Sequence, residues 1–512
     1  MKKTFLLSCL MLAAMPVMAA YTGHVYVDKN KNGVFDQSEK PLAGIKVSDG
    51  LNVVETAADG SFTLPGHERE RFIFITTPSG YKTFNRHYHK IEKKQSGYDF
   101  GLIPYSGRIR KDGSHRYIHI TDTEIFNTEN HADWVNNVHD YARNEQAAFI
   151  IHTGDICYEK GLKAHIKLMN TENMDCPVFY CIGNHDLVKG KYGEELFESI
   201  YGPVYYSFDA GNVHYVVTPM PGGDHAPGYT SDDVCRWLKN DLAHIRPGTP
   251  VVVFNHDLLT YEDTFIFKSK NAGSINLNEY NLKAWVYGHW HINYMKKQGD
   301  VYSVCTSSLD KGGIDHSTTA FRVMHVDSKG DFTSELRYTY LDKNICIASP
   351  AGVMASGVLP VAVNVYSSVS PVREVLYTCL ADGKPVLKNK RLLQSTDWSW
   401  NGELPLSHKY VGKELTLRVT ARFNNGEIAE AESHFICRTE KAVPLFSADW
   451  DNLSGNAKHS APVSAPLNLP LQLAWTNNVG ANLYMTSPLI HKGKVIVASV
   501  DEDLKGVGHV YA

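Results

Sequence analysis

Hydrophobic and polar positions change their period along the 512 residues, and the changes divide the chain. From 20 to about 105 the apolar residues come in short alternating or β-branched runs, at 23–27, 45–47, 53–56, 61–64 and 72–76. Turn pairs such as Asp49-Gly50 and Asp59-Gly60 separate them, a pattern that predicts a small β domain. From about 115 the runs alternate with helical patterns. Apolar stretches at 116–120, 147–152, 177–182, 250–254 and 283–287 predict strands. Between them, 131–145 places Trp134, Val135, Val138 and Tyr141 on one helical face. A second helix opens at Thr230 and Asp233, with Val234, Trp237, Leu238, Leu242 and Ile245 as its inner stripe. Helices between strands imply a mostly buried sheet with its working loops at strand ends. Beyond about 345 the pattern returns to all-β, with runs at 361–366, 375–378 and 415–423 and a hairpin signal at Asn425-Gly426. The expected fold class is therefore α/β, a central α/β domain at 110–342 with all-β domains at 20–105 and 345–440 on either side.

Composition adds a compartment. Lys2 and Lys3 precede a largely apolar stretch from Thr4 to Val17, and Val17-Met18-Ala19 fits cleavage before Ala20. Residues 1–19 thus read as an export signal, placing the mature chain in the periplasm or cell envelope. The apolar stretch is too short to span a bilayer, and no later one is long enough. The formal charge of −4 becomes −6 once Lys2 and Lys3 are removed, which excludes a general grip on nucleic acid. Eight cysteines remain without a Cys-x-x-Cys pair, so a zinc ribbon is excluded and buried free thiols are expected for most.

The chemistry lies in five clusters, each just after a run that reads as a strand. They are Asp122-Thr123-Glu124, Gly154-Asp155, Gly183-Asn184-His185-Asp186, Asn255-His256-Asp257 and Gly288-His289-Trp290-His291. A Gly-Asp turn or a His-x-His alone carries little. Five in order deliver carboxylate, amide and imidazole donors to one sheet edge, as a binuclear metal site requires. These oxygen and nitrogen donors suit Mn, Fe or Zn rather than a soft thiolate site.

The ordered set resembles the calcineurin-like metallophosphoesterase superfamily. Tyr201-Gly202-Pro203, Tyr206-Ser207-Phe208-Asp209 and Val213-His214-Tyr215 add phrasing similar to its bacterial members, and residues 41–64 and 345–438 resemble the β domains flanking the catalytic domain in one exported subfamily. The resemblance implies two divalent or transition metal ions and a phosphate-ester substrate. It places Asp122, position 124, Asp155 and His291 around one metal, and Asp155, Asn184, His256 and His289 around the other. It implies a hydroxide activated by both metals and His185 as general acid, with Asp186 either orienting His185 or capping the loop. Position 124 departs from the pattern: His, or in some branches Gln, is usual where this chain has Glu124. Either Glu124 ligates, giving three carboxylates with Asp122 and Asp155, or it points away. That departure also motivates an alternative, a catalytically weakened domain serving as an envelope scaffold.

Two further segments stand out. Asp28, Asn30, Asn32, Val34, Asp36 and Glu39, with Gly33 at the sixth place, fit a twelve-residue calcium loop, implying one structural Ca. The last 70 residues, 443–512, resemble one incomplete quinoprotein-like propeller repeat, with Trp450, Leu473-Ala474-Trp475 and Thr486-Ser487-Pro488-Leu489. One blade cannot bury its own faces.

Overall fold

The computed structural model describes residues 20–67, 69–438, 449–461, 483, 487–499 and 510–512. The leader and Leu473-Ala474-Trp475 lie outside the described residues. No described helix is long and apolar enough to cross a membrane.

Two stacked sheets form the centre. One runs Val178–Tyr180, Phe149–His152, His115–Ile120, Ala320–Val326, Phe332–Tyr338, and its first three strands are parallel. The other runs Tyr206–Ala210, Val213–Val217, Val251–Phe254, Leu282–Tyr287, Val301–Cys305, Tyr294–Gln298, with the four middle strands parallel. Fully buried strands such as Phe149–His152 and Val251–Phe254 carry continuous apolar runs, as a sheet covered on both faces requires. Aromatic rings close the space between the sheets. Tyr117 stacks on Phe149 at 4.7 Å and meets Tyr215 and Phe254 edge-on at 5.6 and 5.7 Å. Outside the first sheet, helix Ala132–Asn144 buries Trp134, Val138 and Tyr141, and helix Tyr158–Leu168 buries Leu162, in the cluster that contains Ile118, Ile120 and Ile150. Helix Ser231–Ala243 starts with a capping box between Thr230 and Asp233 and packs Trp237, Leu238 and Leu242 into the cluster of the second sheet. This is the expected α/β class.

Parallel connectivity decides where the chemistry goes. All parallel strands of a sheet end on one side, so the loops after Ile120, His152 and Tyr180 share one edge of the first sheet and those after Phe254 and Tyr287 one edge of the second; His256 against Asp122 and Asp155 brings the two edges together.

The N-terminal part packs a five-stranded and a four-stranded sheet around Val25, Val47, Phe62, Leu64, Ile73, Ile75 and Phe100. It is tied to the centre: the Asp209 N–H donates to the Thr77 carbonyl at 2.8 Å, and Arg71 bridges Glu194 and Glu198 at 2.8 and 3.0 Å. Residues 344–438 form a four-stranded and a five-stranded sheet around Val363, Val375, Trp400, Leu417 and Phe435. Arg337 sits between them and the centre, its guanidinium 4.6 Å from the Tyr366 ring and 5.4 Å from that of Tyr141. The described part of the tail is three short strands, Leu489–His491, Lys494–Ala498 and Val510–Tyr511, with one bridge from Ile490 to Trp450. The eight cysteines among the described residues are free thiols, and seven of them are buried.

Candidate metal centre

Three of the five clusters leave their strands by an abrupt turn. Asp122, Glu124, Asp155, His289 and His291 all take positive φ, between 44° and 65°. A left-handed conformation costs a non-glycine residue roughly 1–2 kcal/mol. Five such residues at one edge are strain held by the surrounding fold, as functional sites often hold it. Glycines make the close approach possible. A Cβ on Gly154 would lie 2.7 Å from the Gly183 nitrogen and from His256 Nδ1; one on Gly183 would lie 2.2 Å from Asp155 Oδ1.

The donor atoms converge. His256 Nε2 lies 3.1 Å from Asp155 Oδ2 and 3.8 Å from Asp122 Oδ1; His291 Nε2 lies 3.3 Å from Asp122 Oδ1 and 3.5 Å from Glu124 Oε1. Ligand atoms of Asp155, His256 and His289 fall within 4.8 Å of one another, and so do those of Glu124, Asp155 and Cys157. Asn184 Oδ1 is buried without a hydrogen-bond partner, and His256 Nε2 is buried against the Asp155 carboxylate. His256 Nδ1 is 2.7 Å from the Thr153 carbonyl, which can only accept, so Nε2 presents its lone pair to the carboxylates. Burial would push the imidazole down, yet Asp155 and then Asp122 push it up to about 10. The pocket therefore demands positive charge at Nε2, from a proton or from a cation. His291 is raised in the same sense, first by its hydrogen bond to Asp122. An orphaned amide oxygen, buried imidazole nitrogens and clustered carboxylates fit metal cations well.

Glu124 faces this cluster rather than away from it. Its Oε2 also pairs with Lys311 Nζ at 2.6 Å, and Lys311 reaches the Glu124 carbonyl at 3.2 Å. The ammonium offsets one of the three carboxylates, a charge that counting the clusters alone left out.

Around His185 the structure favours the second of the two roles expected for Asp186, the loop cap. Asp186 does not orient His185: its buried carboxylate accepts the N–H groups of Gly183 at 2.9 Å and Cys157 at 2.8 Å, clamping two metal-edge loops together. Asp224 orients the ring instead, with Oδ2 2.8 Å from His185 Nδ1. The His185 N–H donates to Asp155 Oδ1 at 3.0 Å, and its ring is about one-third exposed. His152 was also missed. Its Nδ1 accepts from the Gly154 N–H at 3.1 Å, so Nε2 carries the proton toward Thr123 Oγ1 at 3.0 Å, between Asp122 and Glu124. Only Pro221-Gly222-Gly223 ahead of Asp224 hinted at a close approach; a Cβ on Gly223 would sit 2.3 Å from the Asn184 carbonyl.

With this geometry in view, the comparisons agree. The family model described as calcineurin-like phosphoesterase matches residues 115–293, and its N-terminal domain model matches 29–104. Residues 115–293 thus match the calcineurin-like phosphoesterase domain and residues 29–104 the N-terminal domain that goes with it. Purple acid phosphatase 13 of Arabidopsis thaliana is 26% identical over 215 residues, 39% of this chain and 36% of that protein, so the chain spans about a third of that relative. Among solved structures, vacuolar protein sorting 29 of Cryptosporidium parvum matches at 10% identity and TM-score 0.23, over 57% of this chain and 99% of that one. A predicted phosphoesterase from Streptococcus pneumoniae TIGR4 matches at 10% identity and TM-score 0.21, over 44% and 98%. TM-scores this low carry no weight for fold or function.

Proposed function

We propose that the protein is an exported hydrolase of phosphoric esters, with Asp122, Glu124, Asp155 and His291 holding one divalent or transition metal cation and Asp155, Asn184, His256 and His289 a second. The observation that carries this is the convergence of Asp155, His256 and His289 ligand atoms within 4.8 Å of one another, with the buried, unpartnered Asn184 Oδ1 in the same set of loops. Mn, Fe or Zn, when bound, would supply Lewis acidity and an activated water to attack at phosphorus. The chain's own groups do the rest. His185, as the imidazolium, holds its Nδ1–H against Asp224, and its Nε2–H is then the proton given to the departing oxygen. Asp186 keeps the loops bearing Asp155 and His185 in register. His152 steadies Thr123, and with it the turn that carries Asp122 and Glu124.

The loop at 28–39 supports one structural Ca as part of this reading. Its three carboxylates turn inward: Asp28 accepts the N–H groups of Asn32 and Gly33, Asp36 those of the Asn30 and Asn32 amides, and Glu39 that of Lys29. Export rests on the leader alone. The ion pair of Glu124 with Lys311 favours the second reading, a weakened domain acting as an envelope scaffold, because a carboxylate held by an ammonium donates less to a cation.

Metal analysis paired with hydrolysis of an aryl phosphate monoester and diester separates the two. The hydrolase binds two equivalents per chain, and its turnover disappears on chelation and returns with Mn or Zn. Two bound equivalents with no turnover of either ester would leave the scaffold standing.

A further inference from the structure

Two large rings are left in water at the edge of this site. Phe126 is 57% and Tyr158 43% exposed. Their centroids are 6.3 Å apart with the planes only 16° from parallel. Both hang from metal-bearing loops, Phe126 two residues after Glu124 and Tyr158 three after Asp155. The Tyr158 ring centroid is 5.3 Å from that of His185, and its hydroxyl is 3.5 Å from His185 Nδ1.

The backbone beneath Tyr158 is unusual. Cys157 and Tyr158 take φ of 77° and 53° in succession. They are held there by the Cys157 N–H on Asp186 and the Tyr158 N–H on the His185 carbonyl at 3.1 Å. Strain of this kind persists only where the surroundings impose it. Its result is to set an exposed ring beside His185 instead of packing it into the core.

We propose that Phe126 and Tyr158 form the leaving-group subsite, and that the ester's alcohol carries a flat ring that continues their stack. The proposal rests on the hydrolase reading above. His185 gives its proton to the departing oxygen, so the group on that oxygen lies on the His185 side, where these rings are. Flat rings with near-parallel planes recognise another flat ring through offset or edge contact. An aryl group and a nucleobase share that chemistry.

Two substrate pairs test it. Benzyl and cyclohexylmethyl phosphate match in size and nearly in leaving-group basicity but differ in flatness. Adenosine 5′-phosphate and ribose 5-phosphate share the same departing oxygen and differ by the base. The expected KM for the benzyl ester is ~5-fold below that of its saturated partner, the size of one aromatic contact. A matching gap in the second pair identifies a nucleoside; a gap in the first pair alone identifies an aryl alcohol. Phe126→Leu should close the gap, while Tyr158→Phe should keep it. Equal KM values within both pairs, or a gap that survives Phe126→Leu, would overturn the subsite. Calorimetry of benzylphosphonate against cyclohexylmethylphosphonate reads the same preference without turnover. Preference there with no hydrolysis of any ester keeps the subsite and removes the hydrolase reading; equal binding removes the subsite whatever the turnover.

Discussion

Asp224 Oδ2 lies 2.8 Å from His185 Nδ1, although the two are 39 positions apart in the chain. The contact exists because the 219–224 turn folds back on the Asn184 loop, where the Asp224 N–H donates to the Asn184 carbonyl at 3.1 Å. Burial pulls the His185 imidazole down, but the hydrogen bond to Asp224 and the carboxylates around it leave it above its ordinary value. Asp224→Ala should therefore cut kcat on an unactivated alkyl ester by about 10–100-fold and shift the alkaline limb of the pH profile to lower pH. A well-activated aryl phosphate needs little proton assistance and should lose far less. Equal losses on both esters would deny Asp224 its positioning role.

His185→Ala should show the same asymmetry more strongly. Loss of a general acid costs on the order of 10²–10⁴-fold when the leaving group is poor. Rates on paired alkyl and aryl esters, measured at fixed metal content, decide it.

Asn184→Ala should reduce the bound metal from two equivalents toward one. The amide oxygen is buried and unpartnered, so its removal leaves the fold's hydrogen bonds intact while deleting a donor. Unchanged metal content by elemental analysis would remove Asn184 from the site.

Lys311→Met frees the Glu124 carboxylate from its ammonium. Tighter metal retention against a chelator is the expected result, with lower turnover per bound metal because an added anionic donor softens the cation. Glu124→His tests the same position from the other side: unchanged metal content and unchanged rate would take Glu124 out of the centre.

A pH test reaches the join between the N-terminal and central parts. His214 is wholly buried, with Nδ1 2.7 Å from Asp209, Nε2 2.8 Å from Asp241, and Lys46 Nζ 3.5 Å from the ring. Burial opposes the charge, but Asp241 and the hydrogen bonds to both carboxylates outweigh burial and Lys46, and they hold the imidazole above 6.5. Asp241, despite its burial, is held below 3.8, chiefly by His214. A raised imidazole gives its full stabilisation below 6.5 and loses it as pH rises through the folded value. A depressed carboxylate gives its own above 3.8 and loses it as pH falls through the folded value. Support from this pair is thus complete between pH 3.8 and 6.5 and declines on both sides. Scanning calorimetry should show Tm falling above pH 6.5 in the wild type and a flatter profile in His214→Gln. Parallel profiles would contradict the assignment.

Much of the site was legible because its clusters each follow an apolar run, and parallel strands end on one side whatever their order. Asp122, Asp155, His256, His289 and His291 could be named on that ground. Asp224, Lys311 and His152 could not. The first two lie in loops with no periodicity, and the third looks like any strand-terminal residue. Asp186 shows another limit: adjacency to His185 left an orienting role and a loop cap both open, and only the turn, which aims the side chain at two backbone donors, chooses the cap. Helices Tyr158–Leu168 and Glu195–Tyr201 also escaped the pattern, since their buried positions are few and depend on the sheet they cover.

By itself the sequence determined which donors exist and that they stand at strand ends, because alternation, apolar runs and turn residues are local and need no partner. Only the tertiary structure decided which carboxylate serves His185, that Glu124 shares its charge with Lys311, and that Phe126 and Tyr158 stand stacked beside the centre. Those facts depend on loops far apart in the chain meeting at one edge, and no local pattern encodes the distance between them.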